Sequence, residues 1–246
     1  MNSSQAGSPT LDWGAIDLVV FDVDGTLYSQ SRLRLVMLGQ LIADAWACRS
    51  ISTINALRVF RQVRESLGDQ PGIDFLTQQY QQAAERCQLS TDELRKLTTD
   101  WLEQRPLRFL AACRYSRLQA VFSALHASGK QVAVFSDYPA VEKLFALGLQ
   151  ASPIVCATDA EVARLKPDPA GLLLVLKQCG VPPNRTLMIG DRFDRDALAA
   201  KRAGVRALIR SRKPHPEFQT FQKFDDAVFV PLLRGDRFEG RGLGQV

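Results

Sequence analysis

The feature that most constrains this chain is an apolar stretch near its N-terminus that ends in two aspartates. Residues 16–21 are almost entirely apolar, and the sequence Asp22-Val23-Asp24-Gly25 follows at once. Such a run is typical of a strand buried on both faces of a parallel sheet. Ligands bind at the carboxyl edge of such a sheet, where two acids can act as nucleophile and acid/base or hold a cation. Taken alone, the stretch also fits a strand that ends in an ordinary Asp-Gly turn.

Composition places the chain among ordinary globular proteins and excludes several functions. Its 246 residues are 46% hydrophobic and 23% charged, which suits one large domain or a core with a smaller one. The net charge of +5 is far from that of a nucleic-acid-binding arm, so we do not expect a nucleic-acid partner. With only two histidines, a zinc site or a histidine-based triad is not expected.

Cysteine usage and hydropathy indicate where the protein works. The five cysteines are scattered, odd in number and free of any CxxC pair, which predicts reduced thiols and a cytoplasmic location. The most apolar segment, residues 35–48, is too short to span a membrane, and the first residues carry no signal-peptide pattern. We therefore expect no membrane partner.

The apolar periodicity divides the chain into a helical middle and an α/β remainder. Helical spacing dominates residues 31–115 and predicts four helices there. The fourth is predicted to end at Arg105-Pro106. From residue 116 helices, glycines and short apolar strands alternate, which predicts a parallel sheet with right-handed crossovers. Residues 227–233 are predicted to add an edge strand or a packing segment. The predicted units are a disordered N-terminus (1–14), an α/β core (15–30 and 116–233), a helical cap (31–115) and a flexible tail (234–246).

Four motifs stand in order at the ends of predicted strands or turns. They are Asp22-x-Asp24-Gly-Thr after the first strand, Ser136 after the second, Lys166 before a Pro-Asp-Pro turn, and Gly190-Asp191 followed, after four intervening residues, by Asp196. Together they resemble the haloacid dehalogenase-like hydrolase superfamily, and residues 164–208 look like its phosphoglycolate phosphatase branch. The resemblance implies an α/β fold, with a Rossmann-like parallel sheet as core and an inserted all-helical cap domain. The acids could otherwise be ordinary caps and turns.

The resemblance also implies an activity and a set of site residues. It implies a Mg²⁺-dependent phosphatase that hydrolyses a small phosphate monoester through an aspartyl-phosphate. The implied residues are Asp22 as nucleophile, Asp24 as general acid/base, Lys166 as catalytic cation, Ser136 and Asp137 as phosphate ligands, Asp22, Asp191 and the Asp24 backbone carbonyl as metal ligands, and Asp196 as the group that orients the metal's waters.

Physical chemistry independently supports this assignment. A carboxylate nucleophile is repelled by a phosphate unless a divalent cation bridges the two, and Mg²⁺ prefers hard oxygen ligands. Burial and crowding by Asp22 are expected to raise the pKa of Asp24, so that it can donate a proton. The superfamily's dehalogenases lack a carboxylate at the position of Asp24, which favours phosphate ester chemistry.

Asp137 stands where the resembling families more usually have asparagine or glycine, and it brings an extra negative charge. Thr26 is expected to shape the turn, and Tyr28 to line either the cap entrance or the surface.

Three questions stay open at this point. A phosphomutase of the same fold would share the core motifs. A regulatory or binding protein could keep the fold and use the cap as a docking surface. The sequence predicts a small phosphorylated metabolite as partner and a monomer or homodimer, but it identifies no particular substrate.

Overall fold

The computed structural model describes residues 11–68 and 75–235, and a six-stranded sheet forms its centre. The strands are β1 (Leu18–Phe21), β2 (Gln131–Ser136), β3 (Ile154–Cys156), β4 (Thr186–Gly190), β5 (Arg206–Arg210) and β6 (Gln219–Phe221). They lie in the order β3-β2-β1-β4-β5-β6, and every neighbouring pair is parallel. The predicted α/β class with a Rossmann-like parallel sheet is confirmed.

The sheet is buried on both faces because its strands are apolar on both sides. In β1, Val19 and Phe21 belong to one apolar cluster, while Leu18 and Val20 belong to the other. The flanking helices are α6 (Leu118–Ala127), α7 (Val141–Leu147), α8 (Ala170–Cys179) and α9 (Leu198–Arg202), the last preceded by a π-helical turn (Phe193–Ala197). Helices α6 and α7 pack on the first face, and α8 and α9 on the second. The carboxyl ends of β1, β2 and β4 therefore meet at one edge.

A long helical insertion separates β1 from β2, as predicted. It contains α1 (Gln30–Cys48), α2 (Ser52–Gly68), α3 (Phe75–Cys87), α4 (Thr91–Thr98), a π-helical segment (Thr99–Gln104) and α5 (Arg105–Cys113). Helix α4 begins with a capping box: the Ser90 side chain accepts from the Glu93 N–H, and the Glu93 side chain accepts from the Ser90 N–H. Helices therefore make up the whole described insertion apart from its short connections.

The prediction that Arg105-Pro106 ends the fourth helix is wrong. Helical structure runs on from α4 through the π-helical segment into α5, which carries Pro106 in its first turn. A proline is tolerated there because the N–H that it lacks is not needed at the start of a helix. The wide π-helical segment lets helical structure continue past this proline.

The two ends of the insertion are tied together where they leave the core. The Ser29 N–H donates to the Cys113 carbonyl (2.9 Å), and the Tyr115 N–H donates to the Leu27 carbonyl (3.2 Å). Further along, Val63 of α2 belongs to a buried cluster that includes Ala157, the residue after β3. The insertion thus packs against loops at the carboxyl edge of the sheet.

The C-terminal part differs from one of its two predicted forms. Residues 227–233 form a 3₁₀ turn (Ala227–Phe229) and the start of α10 (Val230–Arg234), with Phe229 and Leu232 buried. The edge-strand alternative is therefore wrong, and the packing segment is confirmed. The sixth strand is β6, whose three residues are too few to give a periodic signal. Residues 236–246 of the predicted tail lie outside the described residues.

The N-terminal prediction also needs a correction. Residues 1–10 lie outside the described part of the chain, but residues 11–14, predicted to be disordered, are packed. Trp13 is only 1% exposed, and its indole N–H donates to the Val228 carbonyl (2.7 Å). The buried Lys130 ammonium donates to the carbonyls of Trp13 and Ile16 (2.6 and 2.7 Å). Among residues 11–68 and 75–235, no helix is long and apolar enough to cross a membrane.

Replacing Trp13 tests the docking of this segment. We expect Trp13→Ala to lower the free energy of unfolding by about 3–5 kcal/mol, as for other buried aromatic truncations. The matched control is Trp46→Ala on α1, because Trp46 is 85% exposed. Its effect should stay within about 0.5 kcal/mol, as at other surface positions. Equal effects in urea unfolding would show that the segment is not docked.

Candidate active site

The predicted site residues converge at the carboxyl edge of the sheet. Asp22 follows β1, Ser136 ends β2, and Asp191 follows β4. Phe21 of β1 is in register with Val134 of β2 and with Ile189 of β4, so the three strand ends lie side by side. The parallel topology places these groups at one crevice, as expected for an α/β sheet.

Asp22 is buried, and its carboxylate is held from two sides. The Thr26 hydroxyl donates to Oδ2 (2.8 Å), and the Lys166 ammonium lies 2.5 Å from Oδ1. The Asp22 N–H donates to the Ile189 carbonyl of β4 (2.9 Å), which fixes the residue between two strands. Sequence analysis assigned Thr26 to turn shape alone, whereas its side chain orients the Asp22 carboxylate.

Lys166 is almost completely buried between two carboxylates. Its ammonium lies 2.7 Å from Asp196 Oδ1 as well as 2.5 Å from Asp22 Oδ1. Burial alone would lower the pKa of Lys166, but the carboxylates of Asp196 and Asp22 hold it well above its ordinary value. The site therefore contains a permanent positive charge directly beside Asp22.

The backbone of Lys166 is fixed by two further side chains. Asp137 Oδ1 accepts from the Lys166 N–H (2.9 Å), and the Arg195 guanidinium donates to the Lys166 carbonyl (2.6 Å). The Asp137 carboxylate is thus engaged in positioning the lysine. Binding of phosphate by Asp137 stays a prediction for its backbone N–H.

Ser136 presents its hydroxyl at the end of β2. The side chain is buried, and Oγ accepts from the Tyr138 N–H (3.2 Å). An accepted hydrogen bond leaves the hydroxyl proton available for donation to a ligand. This arrangement suits the predicted phosphate contact, which itself stays a prediction.

Three carboxylates form a group that could hold a cation. One oxygen from each of Asp22, Asp191 and Asp196 lies within 4.8 Å of the others. Asp196 is occupied on both sides, since Oδ1 faces Lys166 and Oδ2 accepts from the N–H groups of Asp191 (3.1 Å) and Arg192 (3.0 Å). Asp191 Oδ1, in contrast, is buried without a hydrogen-bond partner. An orphaned buried carboxylate oxygen is costly, so it favours a bound cation.

The charge balance of this group favours a cation as well. Burial raises the pKa of Asp22 well above its ordinary value, and the negative charges of Asp196 and Asp191 raise it further against the opposing effect of Lys166. Burial and the Asp196 charge raise the pKa of Asp191 to about 7. One buried ammonium does not balance three neighbouring carboxylates, two of them buried, and hard oxygen ligands match Mg²⁺. The residues present therefore fit the predicted metal.

A close backbone approach brings Asp191 to β1. Gly25 has φ +96°, and a Cβ at this position would lie 2.1 Å from Asp191 Oδ2. Only glycine satisfies both conditions, because it tolerates positive φ and has no side chain. The glycine of the first motif thus makes room for the aspartate of the last.

Asp24 differs from its predicted state. Both of its oxygens contact the Lys143 ammonium (2.7 and 2.8 Å), and the Tyr28 hydroxyl donates to Oδ1. Burial does raise the pKa of Asp24, as predicted, but Lys143 and Tyr28 outweigh burial and lower it below its ordinary value. The prediction of a raised pKa is therefore wrong: the contacts with Lys143 and Tyr28 favour the ionised form of Asp24.

Two cations at this crevice, Lys143 and Arg64, were not among the residues predicted from the sequence. Lys143 had a detectable signal: it lies three residues after Ala140 and four before Leu147, both buried, where a lysine is out of place. Arg64 of α2 is buried and donates to the Asp137 carbonyl and to Gln79 Oε1 (3.1 Å). Its helical pattern gave no indication of a contact with the core.

Several known proteins are similar to this chain over most of its length. A family model described as haloacid dehalogenase-like hydrolase matches residues 16–204. A phosphoglycolate phosphatase from Rhodospirillum rubrum is 29% identical over 233 residues, which cover 89% of this chain and 93% of that protein.

Solved structures show the same fold at lower identity. A 2-haloacid dehalogenase from Pseudomonas syringae pv. Tomato DC3000 has a TM-score of 0.63 and 20% identity, covering 89% of this chain and 98% of that chain. A HAD phosphatase from Thermococcus onnurineus has a TM-score of 0.61 and 19% identity, covering 90% of this chain and 100% of that chain. With the family match, the ordered motifs and the site that they build, the chain belongs to the haloacid dehalogenase-like hydrolase family.

Proposed function

We propose that the protein is a Mg²⁺-dependent phosphatase that hydrolyses a small phosphate monoester through an aspartyl-phosphate on Asp22. The observation that carries the proposal is the setting of the Asp22 carboxylate. It lies 2.5 Å from a buried ammonium, and one oxygen of each of Asp191 and Asp196 lies within 4.8 Å of it. A carboxylate in contact with both a fixed cation and a cation site is equipped to attack a phosphate.

The metal site would use Asp22, Asp191 and the Asp24 backbone carbonyl. When bound, Mg²⁺ removes the repulsion between the carboxylate and the phosphate and stabilises the charge of the transferring group. Asp196 serves this site indirectly, because its two oxygens hold Lys166 and the backbone of Asp191. We propose that it also orients waters of the metal.

The chain's own residues would perform the two displacements. An Asp22 oxygen attacks phosphorus while the bond to the leaving oxygen breaks, and Lys166 and the Ser136 hydroxyl bind phosphate oxygens. The leaving oxygen takes its proton from Asp24. Water then attacks phosphorus, gives a proton to Asp24, and the bond from phosphorus to Asp22 breaks.

The ionised Asp24 of this structure is in the form required for the second displacement. A base must be deprotonated before it activates water, and the contacts of Asp24 with Lys143 and Tyr28 favour that form. For the first displacement, Asp24 has to take up a proton when the substrate enters. We infer that one Asp24 oxygen then carries the proton while the other keeps its contact with Lys143.

We propose that residues 31–115 act as a cap over this crevice. Arg64 of α2 reaches the residue after Ser136, so the insertion already contacts the loop that would bind phosphate. A cap in this position excludes water and selects the substrate. We infer a cytoplasmic enzyme, with all five cysteines free, that acts on a small phosphorylated metabolite as a monomer or homodimer. Since the Rhodospirillum rubrum relative is a phosphoglycolate phosphatase, phosphoglycolate is the first substrate to test.

Replacing the nucleophile should abolish turnover. Asp22→Asn keeps the size of the side chain but removes the attacking charge, so we expect kcat to fall by at least about 10³-fold with the fold retained. The assay measures free phosphate and isomerised product separately, over a panel of phosphorylated metabolites that begins with phosphoglycolate. A mutase would give isomer with little free phosphate, and a binding protein would release neither.

The control is Asp17→Asn, at the other end of β1. Asp17 pairs with Arg185 on the surface, outside the site, so this variant should keep wild-type activity. If Asp22→Asn retained most of the activity on any good substrate, the nucleophile would be another residue.

Metal dependence has a readout in stability as well as in activity. Chelation should stop turnover, and Mg²⁺ should raise the Tm of the wild type but not that of Asp191→Asn. A Mg²⁺-dependent rise in Tm of equal size in both proteins would remove Asp191 from the metal site.

Without metal, we expect the wild type to be less stable than Asp191→Asn at high pH. Because the folded-state pKa of Asp191 is raised from 3.8 to about 7, its contribution to stability is complete below the ordinary value and is lost as pH rises through about 7. In chelator at about pH 8, Asp191→Asn should therefore have a higher Tm than the wild type, and the difference should shrink as pH falls. A lower Tm at that pH would contradict this charge balance.

A further inference from the structure

The contact between Lys143 and Asp24 does more than set the charge of Asp24, because it also fixes the position of the carboxylate. Lys143 lies in the first turn of α7, and its ammonium contacts both oxygens of Asp24. Both side chains are largely shielded, with 11% of the lysine side chain and 14% of the aspartate side chain exposed. Because burying an ion pair costs desolvation, a pair retained at the acid/base residue calls for a specific role.

Lys143 and Tyr28 form a clamp on the Asp24 carboxylate that restricts its rotation. One ammonium bridges both carboxylate oxygens, and the Tyr28 hydroxyl adds a third hydrogen bond to Oδ1. Three hydrogen bonds to one carboxylate leave it little rotational freedom, because any rotation breaks at least one charge-assisted bond. Asp24 is therefore presented to the crevice in one orientation.

The clamp belongs to the same segment as the predicted phosphate donor. Residues 136–143 begin with Ser136 at the end of β2 and end with Lys143 on α7. The Tyr138 ring belongs to this segment, and the Lys143 ammonium lies 5.3 Å from its centroid. The Arg64 guanidinium of α2 lies 4.1 Å from the same centroid. One short stretch of chain therefore fixes the phosphate donor and the orientation of Asp24 relative to each other.

We propose that Lys143 is a positioning residue for proton transfer by Asp24. It holds the Asp24 carboxylate from α7 so that an oxygen faces the leaving group in the first displacement and water in the second. The inference rests on the proposed function, since it gives Lys143 a role in that reaction. A lysine that served folding alone would change stability and leave the kinetics of the folded enzyme intact.

A double-mutant cycle separates these two roles. The variants are Lys143→Met, which keeps the length of the side chain without its charge, Lys143→Arg, Asp24→Asn, and the Lys143→Met/Asp24→Asn pair. We expect Lys143→Met to lower kcat by about 10²-fold, the cost of a misplaced catalytic group, with KM changed by less than about three-fold. Lys143→Arg should recover part of kcat because it retains a cation.

The cycle should be strongly non-additive. In the Asp24→Asn background, Lys143→Met should cost at most about two-fold more, because the group that it positions is already gone. Lys177→Met on α8 removes one exposed lysine elsewhere and should keep wild-type kinetics. Additive losses, or a kcat within about two-fold of wild type in folded Lys143→Met, would overturn the proposal.

The orientation of Asp24 in a variant tests the positioning role independently of activity. A crystal structure of Lys143→Met should show the Asp24 carboxylate rotated away from its wild-type orientation, and if that variant does not fold, Lys143→Gln replaces it. An unmoved Asp24 would overturn the positioning role even in an active enzyme. Loss of the proposed function would instead appear as wild-type protein that turns over no phosphate ester, with Asp24 still rotated in the variant.

Discussion

The buried ammonium of Lys166 is the interaction on which the rest of the site depends. It lies 2.5 Å from Asp22 and 2.7 Å from Asp196, and without it these two buried carboxylates would lose the cation that both contact directly. Removing one partner from a buried ion pair leaves uncompensated charge, which is far more costly than the net contribution of the pair. The protein fixes this lysine through both its backbone N–H and its backbone carbonyl, by way of Asp137 and Arg195. The position of one positive charge therefore constrains where the carboxylates of Asp22 and Asp196 can lie.

Tight backbone packing brings these charges together from distant parts of the sequence. Gly25 leaves space for the Asp191 carboxylate, and a Cβ on Gly190 would lie 2.4 Å from Asp196. Gly190 ends β4 and Gly25 lies in the turn after β1, so both stand beside the carboxyl ends of neighbouring parallel strands. The fold thus places a negative group where only a cation can balance it, which is the electrostatic requirement for phosphoryl transfer.

Much of this arrangement was predictable because it depends on local pattern. Apolar strands ending in Asp22, Ser136 and Gly190 identified the parallel sheet and its active edge, since strand ends in such sheets share one side. The state of Asp24 was not predictable, because its pKa depends on Lys143, a residue 119 positions away in sequence. The docking of Trp13, the short strand β6 and the helical passage through Pro106 were also missed. Each depends on tertiary contacts or on segments too short to carry a periodic signal.

The central claim is that the phosphoryl group passes through Asp22, and trapping the enzyme during turnover tests it most directly. Asp24→Asn, mixed with Mg²⁺ and a phosphate ester whose leaving group needs no proton, such as p-nitrophenyl phosphate, and quenched in acid, should accumulate a phosphorylated protein. Such an ester can still phosphorylate Asp22, whereas hydrolysis of the intermediate lacks its base. Peptide mapping by mass spectrometry should place the phosphoryl group on Asp22. Turnover by the wild type with no phosphorylated peptide in either protein, or with the phosphoryl group on a different residue, would contradict the account.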